Sequence, residues 1–280
     1  MITKNPMQLK AFIKKKAAEK HTSAQLVMQN YMLERLLERI ARSKYNRHFI
    51  IKGGFLISTL VGLDTRATMD LDTTVKNLSL THEAMHSIFS EICSIEIDDD
   101  VQFEISGISD IRETDDYPGL RVALKASYPP ISVPLTVDVT TGDAITPSEI
   151  MVSFSTMFDE GTIDVFAYSL ETIPAEKIET VLSRSIANTR PRDFYDIHIL
   201  YHLRKDELDM AILHQALLHT IEKRNSQHIL NNYSEIIHMI RNSNQLRDHW
   251  EKYRKEFEYA GDISFDDTCD SLEAIMKQIA

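Results

Sequence analysis

Between Phe49 and Val75 the chain reads FIIKGGFLISTLVGLDTRATMDLDTTV, and no other stretch constrains it so tightly. The pattern predicts a short apolar strand, a Gly-Gly turn, a short helix and a second strand that carries Asp70 and Asp72. Strand side chains alternate between faces. Arg66, Thr68, Asp70, Asp72 and Thr74 are therefore expected on one face, with Met69, Leu71 and Val75 on the other. Two carboxylates about 4 Å apart repel by roughly 4 kcal/mol at an effective dielectric near 20. A chain that sets them side by side is expected to hold a cation between them.

The rest of the sequence bounds what that cation serves. With 280 residues, of which 43% are hydrophobic and 26% charged, the chain is long enough for one large soluble domain or two smaller ones. No apolar run reaches the length of a membrane span, so no membrane partner is expected. The N-terminus lacks the apolar core and small-residue cleavage site of a signal peptide. Cys93 and Cys269 are the two cysteines, which argues against a disulfide framework and for a reducing, cytoplasmic setting. The net charge of −11 is unevenly spread: residues 1–48 hold eleven Lys/Arg against three Glu, a balance of +8, leaving −19 for the remainder. That asymmetry suggests a basic helical arm for a polyanion, the competing reading being a solvated amphipathic helix.

Taken in order, Thr22 and Gln25 have capping-box spacing and predict a helix to about Ser43, with Leu26, Leu33, Leu37 and Ile40 on one face. A helix is expected from Thr81 to about Glu96, with Met85, Ile88, Phe89 and Ile92 inward. Asp98, Asp99 and Asp100 read as a solvated turn. Strands are expected at Val101–Ile108, Leu120–Ser127 and Pro134–Thr140, with a shorter one at Asp164–Tyr168. On the third of these, Asp138 alternates in the same pattern as Asp70 and Asp72. Helices fill the remainder, near 171–185, 193–203, 206–224, 228–242, 243–259 and 266–279. The expected organisation is a basic helical N-terminal arm at 1–48, a mixed α/β core at 49–170 and a helical C-terminal domain at 171–280.

Three strand-borne carboxylates, Asp70, Asp72 and Asp138, suit a two-metal phosphoryl-transfer site holding Mg²⁺ or Mn²⁺, which take oxygen ligands and leave places for substrate phosphates. The Gly53-Gly54 turn at a helix start lets backbone approach a triphosphate. At this point the sequence resembles a known family. KGGF followed by TRATMDLD is similar to the signature of the nucleotidyltransferase fold shared with DNA polymerase β. More narrowly, NYMLERLLERIARSKYNRHFIIKGGF, LTVDVTTGD and AEKIETVLSRSIANTRPRDFYDIHIL resemble the AbiEii/AbiGii toxins of abortive-infection and toxin–antitoxin systems. The likeness spans roughly residues 10–200. One departure is Gly54, where many polymerase-β-type enzymes have Ser; a hydroxyl from Ser58 or Thr59 is the alternative source of that phosphate contact.

The resemblance implies an α/β nucleotidyltransferase fold: a mixed, antiparallel-rich sheet flanked by helices, with a helical C-terminal domain. It implies transfer of a nucleoside monophosphate from an NTP to an acceptor, in better-understood relatives the 3′ end of tRNA, and a separate antitoxin as partner. By the same token Asp70 and Asp72, with Asp138 as third carboxylate and candidate general base, would bind the metal. Lys52, Gly53, Gly54, Ser58, Arg66 and Thr68 would line the nucleotide. Lys177 matches the family's essential lysine, Arg184 lies seven residues on along the same helical face, and Asp193 and Asp196 match its last acidic motif. Arg190 and Arg192 are phosphate or RNA candidates. Simpler readings stand beside these: Asp193 as a helix cap, and Asp196 as a partner for Lys177 or Arg184. All these groups are expected to converge on Gly53-Gly54. A protein side chain as acceptor, or a non-catalytic nucleotide-binding module, are the competing functions.

Overall fold

The computed structural model describes residues 5–111 and 119–279. Lys4, counted in the basic arm, lies outside the described residues. The chain divides into two units, one running to Gly142 and taking in Ile150–Ala167, the other made of Asp143–Glu149 and Tyr168 onward.

The first unit is built on a seven-stranded sheet, β1 (Phe49–Lys52), β2 (Asp70–Val75), β3 (Gln102–Asp110), β4 (Gly119–Tyr128), β5 (Ile131–Thr141), β6 (Ile150–Ser155) and β7 (Thr162–Ala167). Its order is β3-β4-β5-β2-β1-β7-β6. The β2–β5 and β1–β7 pairs are parallel and the others antiparallel. The expected mixed, antiparallel-rich sheet is present. Leu71, Val122, Leu124, Val137 and Val139 are buried on one of its faces. The exposed edge strand β6 is the one strand the sequence pattern does not announce, because little of it is buried.

Among the described residues, four helices belong to this unit: α1 (Pro6–Glu19), α2 (Ala24–Arg42), α3 (Gly53–Val61) and α4 (His82–Cys93). The N-terminal helices pack into the core of this unit. On α1, Leu9, Ile13 and Ala17 recur every four residues and are buried, and α2 packs on β5 and β7. The cap of α2 is Ser23, whose hydroxyl accepts from the Leu26 N–H at 3.1 Å, one residue later than the T-x-x-Q spacing suggests. α4 is capped by Thr81, where the helix is expected to start, its hydroxyl accepting from Ala84 N–H at 3.2 Å.

The basic segment is largely neutralised where it folds. Arg39 forms a two-pronged pair with Asp99 at 2.8 and 2.9 Å, and both residues are buried. Asp99 is thus no solvated turn residue; it meets a guanidinium sixty positions away in the chain. Arg35, also buried, pairs with Glu34 and Glu38 at 2.6 Å. Lys10, Lys14 and Lys15 of α1 remain exposed.

The second unit holds α5 (Thr172–Arg184), α6 (Pro191–Arg204), α7 (Met210–Lys223), α8 (His228–Arg241), α9 (Asn244–Glu256) and α10 (Phe265–Ile279). Its core joins Ile178, Val181 and Leu182 of α5 to Phe194, Leu217, Trp250 and Leu272. Trp250 is fully buried and its indole N–H donates to Ile263 O at 3.0 Å. The segment 143–149 joins this unit through Thr146, whose carbonyl accepts from the hydroxyls of Ser169 and Thr172.

Candidate functional site

Strand register builds the site. Lys52 of β1 is paired with Asp72 of β2, Asp72 with Asp138 of β5, and Asp138 with Arg121 of β4. Directly paired residues share a face. Four adjacent strands therefore carry one row, Lys52, Asp72, Asp138 and Arg121, with two carboxylates flanked by two cations. Asp70 stands two residues before Asp72 on the same face and is paired with Thr136. The parallel β2–β5 pairing thus sets Asp138 beside Asp72.

Arg121 was not signalled by the sequence. Its Nε donates to Asp138 Oδ1 and its terminal nitrogen to Oδ2, each at 2.8 Å. Asp138 accepts those bonds and, with smaller contributions from Asp70 and Asp72, makes the guanidinium hold its proton more firmly than an ordinary arginine. Alternation along β4 places Arg121, Ala123 and Lys125 on one face, but the pairing that meets Asp138 is a register fact, not a local one.

The turn is fitted to Asp72. Gly53 has φ +65°, a left-handed conformation favouring glycine, and a Cβ there would run into the Asp72 carboxylate. The Gly54 N–H, at the N-terminus of α3, donates to Asp72 Oδ2 at 3.3 Å. Withdrawal from water raises the Asp72 carboxyl above its ordinary value; Asp138 and Asp70 push the same way, while Lys52 and the Gly54 N–H oppose. Gly54 is small for a separate reason. A Cβ would lie 2.9 Å from Thr68 Oγ1 and 3.0 Å from an Arg66 guanidinium nitrogen.

Arg66 and Thr68 do not lie on the strand face with Asp70 and Asp72, because β2 begins only at Asp70. Both are buried against Gly54. Their segment is held by α2: Asn30 Nδ2 donates to Thr68 O at 2.8 Å and Gln29 Nε2 to Met69 O at 3.0 Å. Ser58 is buried and its hydroxyl donates to Phe55 O at 2.7 Å; the Thr59 hydroxyl also donates back along α3, to Phe55 O and Leu56 O. These hydroxyls serve the helix rather than the turn.

In the second unit Lys177, on α5, reaches Asp193 Oδ1 at 2.9 Å and Asp196 Oδ2 at 2.8 Å, both on α6. Asp196 is fully buried and Asp193 nearly so. Asp193 lies in the first turn of α6, which starts at Pro191 after Arg190, so it is not the cap residue. Its Oδ2 has no hydrogen-bond partner among the described residues. Arg184 ends α5, two turns beyond Lys177. Arg190 and Arg192 are exposed, Arg192 lying 5.8 Å from the centroid of the Phe257 ring.

Among the described residues, no three His, Cys, Asp or Glu side chains are grouped to hold a metal ion as they stand. The donor set of Asp70, Asp72 and Asp138 is nonetheless all oxygen, the preference of Mg²⁺ and Mn²⁺. The same carboxylates already draw the Arg121 cation, so the residues present fit a divalent ion chemically. No helix among the described residues is long and apolar enough to cross a membrane.

Comparison with known proteins follows the same lines. The family model described as nucleotidyl transferase AbiEii toxin, type IV TA system, matches residues 35–271. The fold is similar to the crystal structure of JHP933 from Helicobacter pylori, at 15% identity and TM-score 0.50, covering 92% of this chain and 94% of that one. It is likewise similar to an H. pylori crystal structure described as a candidate nucleotidyltransferase, at 15% identity and TM-score 0.51, covering 92% and 97%. At these identities the likeness is one of fold. No curated protein sequence matches significantly.

Proposed function

This chain belongs to the AbiEii nucleotidyl transferase toxin family of type IV toxin–antitoxin systems, and from that premise we propose that it moves a nucleoside monophosphate from an NTP to the 3′ end of tRNA, releasing pyrophosphate. The observation that carries the reading is the row of Lys52, Asp72, Asp138 and Arg121 beside the Gly53-Gly54 turn. Asp70, Asp72 and Asp138 would hold Mg²⁺ or Mn²⁺, which supplies charge neutralisation at the triphosphate when bound.

The chain's own groups do the rest. Backbone amides of the turn and the N-terminus of α3 favour the triphosphate's negative charge, with Lys52 beside them. Arg66 and Thr68 fix the shape of that turn from behind. Asp138 takes the proton from the acceptor hydroxyl as it attacks the α-phosphorus. In the helical unit, Lys177 is assigned the family lysine's part, neutralising phosphate charge, with Asp193 and Asp196 positioning its ammonium and Arg184 as a second cation on α5. The exposed lysines of α1 favour RNA as acceptor, because phosphate contacts dominate nucleic-acid affinity. The antitoxin is read as a separate protein. The cytoplasm suits Cys93 and Cys269, both free thiols.

Incubation with each α-³²P-labelled NTP, Mg²⁺ and total RNA tests this. Label is expected at tRNA 3′ ends, lost in Asp72→Asn. Label on protein instead of RNA would move the acceptor to a side chain; no transfer to either overturns the reading.

A further inference from the structure

In the row described above, two carboxylates stand between two cations, and one of those cations, Arg121, grips both oxygens of its neighbour. Arg121 Nε occupies Asp138 Oδ1 and its terminal nitrogen occupies Oδ2, at 2.8 Å each. A divalent ion that takes either oxygen in that direction must break one of these bonds. The grip is also one that can be broken. The Arg121 side chain is 51% exposed, whereas that of Asp138 is 18% exposed. An ion pair with a half-solvated partner is weak. By contrast, the buried Arg39–Asp99 pair in the same unit is 3% and 2% exposed and has no such freedom.

We propose that Arg121 is a positioning residue that serves as an exchangeable counterion: it holds Asp138 in the metal-free protein, yields that carboxylate to a divalent cation, and turns its guanidinium to the triphosphate that arrives with the cation. The inference rests on the metal-site reading given under Proposed function. The chemistry favours each half. A divalent ion outbids a single charge for a carboxylate beside two others. The released guanidinium is a planar fork that matches phosphate oxygens bidentately, anchored on the strand next to Asp138. Metal binding thereby creates a phosphate-binding cation, so the site takes the two ligands together.

The exchange predicts opposite effects on two ligands, which a merely structural role would not give. In Arg121→Ala, Mn²⁺ alone, titrated by electron paramagnetic resonance, is expected to bind about fivefold more tightly, since no ion pair has to be broken. In the same variant, inorganic tripolyphosphate with saturating Mg²⁺, followed by calorimetry, is expected to bind about tenfold more weakly for want of one charge-assisted bond. Arg121→Lys falls between in both assays. Lys125→Ala removes a charge four residues along the same face of β4, where Lys125 meets Glu104 at 3.9 Å, and is expected to shift neither constant by more than about twofold. Weaker or unchanged Mn²⁺ binding in Arg121→Ala overturns the exchange, as does an equal gain in Lys125→Ala. Mn²⁺ binding that survives Asp72→Asn overturns instead the underlying metal assignment, and the exchange with it.

Discussion

Lys177 is the residue whose loss is easiest to misread. Its ammonium lies 2.9 Å from Asp193 and 2.8 Å from Asp196, with side-chain exposures of 16%, 12% and 0%. At an effective dielectric near 20, each contact is worth about 6 kcal/mol of gross attraction. Most of that is offset by the desolvation of three charges. What remains when one partner of a buried pair is removed is about 3–5 kcal/mol, because the carboxylates stay buried without their counterion. Lys177→Met is therefore expected to lower the unfolding midpoint of the helical unit by roughly 12–20 °C, at about 4 °C per kcal/mol for a unit of this size. Calorimetry of the full chain reads this directly. Adding Asp193→Asn and Asp196→Leu to Lys177→Met is expected to restore more than half of the loss. A single-variant cost below about 1 kcal/mol, the range of an exposed pair, would refute the reasoning, as would a combined variant no more stable than Lys177→Met. Only in the restored background does missing transferase activity report on phosphate chemistry.

Two further outcomes follow from the geometry. Gly54→Ser is expected to cost about 1–3 kcal/mol in urea unfolding and to reduce transfer, because the new Cβ crowds Thr68 and Arg66. His198 is buried, with Ser271 Oγ 2.9 Å from its Nδ1; burial first and His202 second depress it below the ordinary 6.5. The folded state thus prefers the neutral ring. Its contribution is fully present above pH 6.5 and is lost as pH falls from there through the lower folded value. Thermal melts from pH 7.5 to 5 are expected to decline less steeply in His198→Gln than in the parent; parallel declines would remove His198 from the account.

Much of this architecture is visible in local pattern. Apolar periodicity marks α2, α4 and the helices after Thr172, since each buries one face. Alternation marks β4 and β5, each with one face in the core. Asp70, Asp72 and Asp138 are legible as strand carboxylates, and KGGF as a turn. What local pattern cannot convey is pairing between distant segments. That Arg121 would meet Asp138 depends on the β4–β5 register. That Asp99 would be buried depends on Arg39 reaching it from α2. β6 escapes because an edge strand with little burial leaves no alternation to read. The cap of α2 falls on Ser23 rather than Thr22, two adjacent hydroxyls that sequence spacing separates poorly.

The parallel pairing of β2 with β5 also has a temporal consequence. Residues joined across it, such as Thr74 and Thr140, are 66 positions apart in the chain. Asp72 and Asp138 come side by side only once β5 has been synthesised, has left the ribosome and has paired with β2 across that long closure. A nascent or prematurely terminated chain ending before Asp138 carries the Gly-Gly turn and Asp72 without the partner strand. Formation of the row of charged residues thus waits on the closing of a long loop rather than on any local step.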